Sequence, residues 1–183
     1  MSEIAERYRK VAGQFTQRVE AVPDGAWDNP SPCEGWVARD VVGHLVGWVP
    51  AFLRSYAGVE LPAGPPVDRD PVGAWTVLRD AIEATLEDHE TAGREFDSPG
   101  GRVTVEQAVG MFVTGDVLVH TWDLARATGL DEILDAEEVH LMVGEMEPHD
   151  EAMRASGHYG PRVEVPDDAD EQTRLLAFMG RRP

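Results

Sequence analysis

The stretch GDVLVHTWDLA, residues 115–125, most constrains what this chain can fold into, because it reads as helical with charged groups on its apolar side. A helix turns about 100° per residue, so Asp116 and His120 share one face. Val109 and Val113 fall within roughly 60° of Asp116, which places the carboxylate and the imidazole inside the apolar stripe. Burying a carboxylate is costly unless a cation, a metal ion or hydrogen-bond donors compensate it. We therefore predict that a partner meets Asp116 inside the protein.

Helical periodicity recurs along the chain and predicts a bundle. Apolar residues follow helical spacing in four long segments, which are the residues up to about 22, 37–56, 71 to about 91, and 105 to about 128. Pro50 lies inside the second segment and predicts a kink or a local break. Thr104 and Gln107 form a capping box before the fourth segment, and Gly129 is a natural C-cap. Long amphipathic helices of this kind predict an all-α fold with four principal helices.

The remaining segments are shorter. Residues 96–105 are glycine-rich and predict a small hairpin or an extended connector, and residues 135–147 predict a fifth helix. The sequence SGHYGPRVEVP at 156–166 reads as an extended arm. Asp168, paired with Glu171, predicts the N-cap of a last helix over 169–179. We expect one domain over 1–183, with a core bundle at about 1–130 and the segment 131–183 packed on it.

Charge and cysteine content narrow the class of protein. The formal net charge of −18 argues against nucleic-acid partners and anionic membrane surfaces. We expect no signal peptide and no membrane span, since no apolar run has the required length. The single cysteine, Cys33, excludes an internal disulfide framework, and we expect a cytoplasmic protein. Lys10 is the only lysine, and this preference for arginine indicates a GC-rich genome.

A metal ion would satisfy Asp116, since helical bundles build metal sites from inward side chains on facing helices. Asp116 and His120, four residues apart, can share one ion, but a catalytic site needs a third protein ligand and an open position. His44, at the edge of the apolar stripe of the second helix, is the best third candidate. The alternative is that Asp116 merely orients an imidazole and that His44 is an ordinary core histidine.

Other polar residues are weaker candidates. Cys33 stands at the entry to the His44 helix, where it either approaches the site or fills space as a small hydrophobe. Asp123 is either a support for His120 or a surface or capping carboxylate. Arg39 and Arg126 are either receptors for an acidic ligand or surface residues. The other histidines are weaker ligand candidates still; they are His89, His140, His149 and His158. The tryptophans are expected to anchor the core and loops; they are Trp27, Trp36, Trp48, Trp75 and Trp122.

Three separated blocks carry a family resemblance: WDNPSPCEGW at 27–36, RDVVGH at 39–44 and HTWDLARATG at 120–129. They resemble the actinobacterial DinB-like metal-binding proteins, and among these the N-terminal domain of mycothiol-dependent maleylpyruvate isomerase. The ending YGPRVEVPDDADEQTRLLAFMGR is also similar to the family, so the resemblance covers nearly the whole chain. It implies a DinB-like four-helix bundle with additional short C-terminal helices and an extended arm.

The resemblance also implies a ligand set and a chemistry. It implies a divalent metal held by His44, Asp116 and His120, with zinc favoured and nickel, iron or manganese suited to the same donors. The isomerase uses glutamate where Asp116 stands, and it carries a second domain, which we do not expect here. Its relatives use low-molecular-weight thiols and commonly pair, which implies mycothiol as cosubstrate and a homodimer.

The leading hypothesis is a metal-dependent mycothiol S-transferase or isomerase-like enzyme that acts on a small electrophilic substrate. Two alternatives use the same three ligands. One is a metal-dependent hydrolase that activates bound water, and the other is a non-catalytic metal-binding or stress-response module.

Overall fold

The computed structural model describes residues 2–98, 101–146, 150–155 and 161–183. Contacts between Cα atoms divide the chain into two units, Met1–Glu132 and Ile133–Pro183. The fold is mostly α, as predicted, and the described residues contain one sheet, of two strands. The prediction of a single domain in which the C-terminal segment packs on the bundle stays a prediction.

The described residues of the first unit contain four long α-helices and two that have only four residues each. They are α1 (Glu3–Ala21), α2 (Ala38–Phe52), α3 (Pro71–Glu87), α4 (His89–Ala92), α5 (Val105–Ala108) and α6 (Gly115–Thr128). A 3₁₀ turn spans Ala26–Asp28, and π-helical turns span Leu53–Ala57 and Val109–Thr114. The glycine-rich connector is the predicted hairpin, with strands β1 (Glu95–Ser98) and β2 (Gly101–Thr104) paired antiparallel.

Four helical segments form a bundle. Helix α1 packs against α3 and α6, and α2 packs against the same two helices. Trp75 of α3 is fully buried between them, with its ring centroid 4.6 Å from that of Phe15 in an edge-on arrangement. Its indole N–H donates to Thr16 Oγ1 over 2.8 Å, so the polar end of this large side chain is satisfied inside the core.

Local signals set where the helices begin. Thr104 Oγ1 accepts from the Gln107 amide, and the Gln107 side chain accepts from the Thr104 amide, which confirms the predicted capping box. Asp70 Oδ1 accepts from the Gly73 amide at the start of α3 over 2.8 Å. Gly129 ends α6 with a φ of 72°, a left-handed conformation that a residue without Cβ adopts freely.

Two long helices differ from the prediction. Pro50 lies inside α2 without ending it, and the departure from α geometry comes three residues later, in the π turn Leu53–Ala57. The fourth helix is not one continuous α-helix, since Val109–Thr114 is π-helical. A π turn contains more residues than an α turn, so the rotation of about 100° per residue does not hold across it.

Two helix boundaries also differ. The third helix stops at Glu87, and Asp88 then caps the separate short helix α4, with its side chain accepting from the Glu90 amide. The last helix begins at Glu171 and not at residue 169. Its N-cap is Asp170, whose side chain accepts from the Thr173 amide over 2.7 Å. Both Asp168 and Asp170 precede the helix. Asp170 is the cap because it stands three residues before Thr173, whose amide is helical.

The second unit contains α7 (Ala136–Met146), α8 (Asp150–Ala155) and α9 (Glu171–Phe178). Helix α7, the predicted fifth helix, packs against α9, and the Gln172 side chain accepts from the Leu134 amide over 2.9 Å. Of the predicted extended arm, residues 156–160 lie outside the described part of the chain, and residues 161–166 have no helix or strand. The Val163 amide donates to the Ala177 carbonyl at the end of α9.

Candidate metal centre

The three predicted ligands meet where α2 faces α6. His44 Nε2 of α2 lies 3.1 Å from Asp116 Oδ2, and His120 Nε2 lies 3.4 Å from Asp116 Oδ1. The two imidazole rings are 4.8 Å apart between centroids. One carboxylate is therefore placed between two imidazoles that come from two different helices, which provides the partner that the sequence requires for Asp116.

The donor atoms of this group are close enough to share an ion. One ligand atom from each of His44, Asp116 and His120 lies within 4.8 Å of the others. Two imidazole nitrogens and a carboxylate oxygen are a donor set that suits zinc and other divalent transition metals. A second group with the same closeness consists of Cys33, His120 and Asp123, so His120 belongs to both.

Asp123 determines which nitrogen of His120 donates a hydrogen bond and which one faces Asp116. Its side chain is completely buried, and its Oδ2 lies 2.9 Å from His120 Nδ1. Because a carboxylate only accepts hydrogen bonds, Nδ1 donates the proton in this contact. Nε2 is then the nitrogen that faces Asp116. A carboxylate behind the imidazole is the usual arrangement around metal-binding histidines, and it favours the His44 group over the Cys33 group.

Burial is graded across the site. The His120 side chain is 4% exposed, whereas His44 is 31% and Asp116 26% exposed. Asp116 is thus at the rim of the apolar region and less buried than the sequence predicts. The physical reason is the π turn Val109–Thr114 directly before it, which changes its angle relative to the preceding apolar residues. The site is closed behind His120 and open beside His44 and Asp116.

The electrostatics match this geometry. Burial alone would raise the pKa of Asp116, but the charges and hydrogen bonds of His120 and His44 hold it far below its usual range. Burial would lower the pKa of His120, yet the charge of Asp116 and the hydrogen bonds that His120 makes with Asp116, Asp123 and Cys33 raise it well above its usual value. Both shifts favour the charged forms, an anionic carboxylate at Asp116 and a protonated imidazole at His120.

Two indole rings border the site, although both tryptophans were expected only to anchor the core and loops. Trp36 lies 5.1 Å from the His44 ring and 5.9 Å from the His120 ring between centroids, the latter pair stacked at 22°. Trp48 donates from Nε1 to Asp116 Oδ2 over 2.8 Å. A signal for Trp48 exists in the sequence, because it stands four residues after His44 and so shares its helical face. Periodicity gives no such signal for Trp36, which lies in a loop.

That loop is fixed on α6 by its own hydrogen bonds. The Asn29 side chain donates to the Ala127 carbonyl over 3.0 Å, and the Trp36 amide donates to the Cys33 carbonyl. Gly35 has a φ of 78° in this turn, which favours a residue without Cβ. The turn brings Cys33 to Asp123, with its thiol donating to Oδ2 over 3.5 Å, so of the two alternatives for Cys33 the structure has the approach to the site.

The weaker candidates lie elsewhere or have local partners. His89 is exposed, and His140 is exposed and paired with Glu171 at 3.0 Å. His149 and His158 lie outside the described residues. Arg39 pairs with Asp28 at 2.8 Å, and its Nη1 donates to the Asp68 carbonyl. Arg126 pairs with Glu132 at 2.7 Å, and its guanidinium lies over the Trp122 ring. Of the other tryptophans, Trp75 and Trp122 are core residues, as predicted.

Within the described ranges, no helix is both long enough and apolar enough to cross a membrane.

Comparison with known proteins agrees with the resemblance seen in the motifs. The family model of the mycothiol maleylpyruvate isomerase N-terminal domain matches residues 8–125, which include all three predicted ligands. Two similar proteins come from Mycobacterium tuberculosis: uncharacterized protein MT0763 of strain CDC 1551 / Oshkosh and uncharacterized protein Rv0738 of strain ATCC 25618 / H37Rv. Each is 30% identical over 157 residues, covering 83% of this chain and 83% of the relative. No solved structure matches the chain. From the extent of the family match, we conclude that this chain belongs to the family of mycothiol maleylpyruvate isomerase N-terminal domains.

Proposed function

We propose that His44, Asp116 and His120 bind a divalent metal ion, zinc in the first place, and that the protein is a mycothiol-dependent S-transferase or isomerase-like enzyme. The observation that carries the proposal is the meeting of two imidazoles and one carboxylate, with ligand atoms within 4.8 Å of one another. Three protein ligands with one open side are typical of catalytic zinc sites, whereas structural sites have four.

The charges of the centre fit a cation. Asp116 and Asp123 approach His120 from opposite sides, at 3.4 Å and 2.9 Å, and the raised pKa of His120 reflects this negative surrounding. We expect a proton on His120 to fill that role in the metal-free protein. A divalent ion bound by the three ligands would supply Lewis acidity, which lowers the pKa of a thiol sulfur so that thiolate is available at neutral pH.

The protein's own residues orient and shield the centre. Asp123 keeps the proton on Nδ1 of His120, so that Nε2 presents its lone pair towards Asp116 once its own proton is lost. The Trp36 ring lies beside both imidazoles, stacked on that of His120 and tilted against that of His44. The exposed fractions of His44 and Asp116 leave an edge at which a thiol and a small electrophile can approach.

The proposal of mycothiol as the thiol cosubstrate is based on the family to which the chain belongs. The description of the family names mycothiol maleylpyruvate isomerase, and this chain matches the N-terminal domain of that enzyme family. The substrate we propose is a small electrophile, and the reaction is addition of the thiol, in which the sulfur forms the new bond and the thiol proton passes to the product. A hydrolase that uses bound water needs the same open edge, so the experiments below are designed to separate the two.

The first experiment is metal analysis of the untagged protein, wild type beside His120→Ala. We expect close to one equivalent of metal in the wild type and loss of that metal in the variant. His140→Ala is the matched control, because His140 is exposed and pairs only with the second unit's Glu171 among its described contacts. A metal-free wild type that is as stable as the metal-treated protein would refute the site.

The second experiment titrates the cobalt-substituted protein with mycothiol. A change in the visible absorption of cobalt that saturates with thiol supports the transferase hypothesis, since sulfur ligation adds an intense charge-transfer band. Turnover of an ester or amide without thiol would instead support the hydrolase. A spectrum that no thiol and no buffer anion alters would indicate a closed, non-catalytic metal module.

A further inference from the structure

Trp48 makes a contact that the metal-ligand set leaves unexplained. Its indole N–H donates to Asp116 Oδ2 over 2.8 Å, on the same oxygen that faces His44 Nε2 at 3.1 Å. The other oxygen, Oδ1, faces His120. The two oxygens of the carboxylate therefore have different partners, and among the described partners of Asp116 the indole is the one that is not a candidate ligand.

The indole is itself held in place. Its ring lies 6.0 Å from that of His44, one turn earlier on α2, and 5.8 Å from that of Phe52, one turn later. Three aromatic rings thus stand in a row along one face of a single helix. Asp116 is on the facing helix α6, so the hydrogen bond from Trp48 holds its carboxylate against α2, next to His44.

A carboxylate at the rim of a site needs such support. The Asp116 side chain is 26% exposed, so packing does not restrict its rotation as it restricts that of His120. A neutral indole N–H only donates a hydrogen bond. It does not lose its proton at neutral pH, and its nitrogen does not bind a cation. The bond occupies one lone pair of Oδ2, and ion binding at the imidazoles does not require it to break.

We propose that Trp48 is a positioning residue that fixes the orientation of Asp116 and restricts it to one coordinating oxygen. The inference rests on the proposed function, since it assigns a role at the same metal centre. Hydrogen-bond partners of metal ligands typically change metal affinity by about 10–100-fold when they are removed. Trp48 belongs to this class through Asp116, as Asp123 does through His120.

The test compares Trp48→Phe with Trp36→Phe in the full-length protein. Both variants keep an aromatic ring beside the imidazoles, but only Trp48→Phe removes a hydrogen bond to Asp116, as no described bond joins Trp36 to it. Zinc affinity is measured by competition with a chromogenic chelator. We expect Trp48→Phe to weaken zinc binding by about 10–100-fold and Trp36→Phe to change it much less.

A second readout separates positioning from a general loss of packing. In ¹⁵N-labelled wild-type protein, the assigned indole N–H resonance of Trp48 is followed during zinc addition. We expect it to shift at one equivalent while its exchange with solvent stays slow, which indicates that the bond persists. Trp48→Gln, which offers an amide N–H, should recover part of the affinity that Trp48→Phe loses.

The outcomes distinguish this inference from the proposed function. Wild-type protein that binds no zinc would remove the proposed function and this inference together. If the wild type binds zinc and a folded Trp48→Phe variant binds it equally tightly, only the proposed role of Trp48 is overturned. If Trp48→Phe does not fold, an indole resonance that is indifferent to zinc in the wild type would overturn that role as well.

Discussion

His120 and Asp123 form a buried pair on one face of α6, with Nδ1 of the imidazole 2.9 Å from Oδ2 of the carboxylate. Asp123 is completely buried and His120 nearly so. A buried carboxylate is stable only with partners, and His120 and the Cys33 thiol both donate to this same oxygen. The pair is therefore a fixed support, on which the orientation of His120 towards Asp116 depends.

Removal of the Asp123 carboxylate should weaken metal binding without removing a ligand. In Asp123→Ala the Nδ1 proton of His120 loses its acceptor, and we expect zinc affinity to fall by about 10–100-fold. Asp123→Asn keeps an acceptor oxygen but not the charge, so its loss should be smaller. Chelator competition measures both affinities, and thermal unfolding monitors the fold. Equal affinity in wild type and Asp123→Ala would contradict this role.

Metal binding should release a proton at neutral pH. The raised pKa of His120 means that the metal-free protein is protonated there, whereas the lowered pKa of Asp116 means that this carboxylate is already ionised. Coordination through Nε2 requires the neutral imidazole, so about one proton leaves for each ion bound. Zinc affinity therefore rises with pH until the folded pKa of His120 is passed, and then levels off.

Calorimetry in two buffers of different ionisation enthalpy gives the number of protons released. The control is again His140→Ala, which should release the same number as the wild type. Heats that are identical in both buffers at pH 7 would show that no proton is displaced and that the ion does not replace the proton of His120.

The metal-free protein should show the matching pH dependence of stability. Since the folded pKa of His120 is raised, its contribution is fully present below the unfolded value of about 6.5 and is lost as pH rises through the folded value. The contribution of Asp116, whose folded pKa is lowered, is present above the unfolded value of about 3.9 and is lost in acid. Stability without metal is therefore expected to be highest between these limits.

Tyr8 gives an independent alkaline prediction. Its side chain is fully buried in the bundle, its hydroxyl has no hydrogen-bond partner among the described residues, and burial, with Glu83, raises its pKa above that of a free tyrosine. Its contribution to stability is thus present below the unfolded pKa of about 10 and is lost above it, at up to about 1.4 kcal/mol per pH unit.

Tyr8→Phe should remove this dependence. Urea unfolding at pH 8 and pH 11 should show a smaller alkaline loss of unfolding free energy in Tyr8→Phe than in the wild type. At pH 8 the variant should be equally stable or slightly more stable, because it buries no unpaired hydroxyl. A parallel alkaline loss in both proteins would indicate that the hydroxyl is solvated in the folded state.

Much of this fold follows from local sequence signals. Apolar spacing predicted the four long helical segments, and the capping box at Thr104 and Gln107 and the stop at Gly129 are where the sequence places them. The prediction of Asp168 as the last N-cap was wrong because Asp170, two residues later, offers the same local chemistry. Which of them caps depends on where the chain enters the helix, and that is set by tertiary contacts.

The proximity of the candidate site residues was predictable, but their surroundings were less so. A carboxylate and an imidazole on an apolar helical face indicated Asp116 and His120, because such groups need partners. The π turn before Asp116 could not be read from apolar spacing, so the exposure of this residue was misjudged. The position of Trp36 depends on how a loop folds back on α6, which helical periodicity does not describe.

The two overlapping donor groups can be separated by paired substitutions. If the ion occupies the His44 group, His44→Ala should lower zinc affinity by at least about 100-fold, since it removes a ligand. Cys33→Ala should then change it little, because the thiol lies 3.5 Å from Asp123 and is not a member of the His44 group. The opposite pattern, with zinc lost from Cys33→Ala and retained by His44→Ala, would place the ion in the Cys33, His120 and Asp123 group. That group is more buried than the His44 group, and an ion held there would have little room for a thiol substrate. Cobalt substitution adds a direct readout, because a thiolate ligand from Cys33 gives an intense charge-transfer band before any thiol is added.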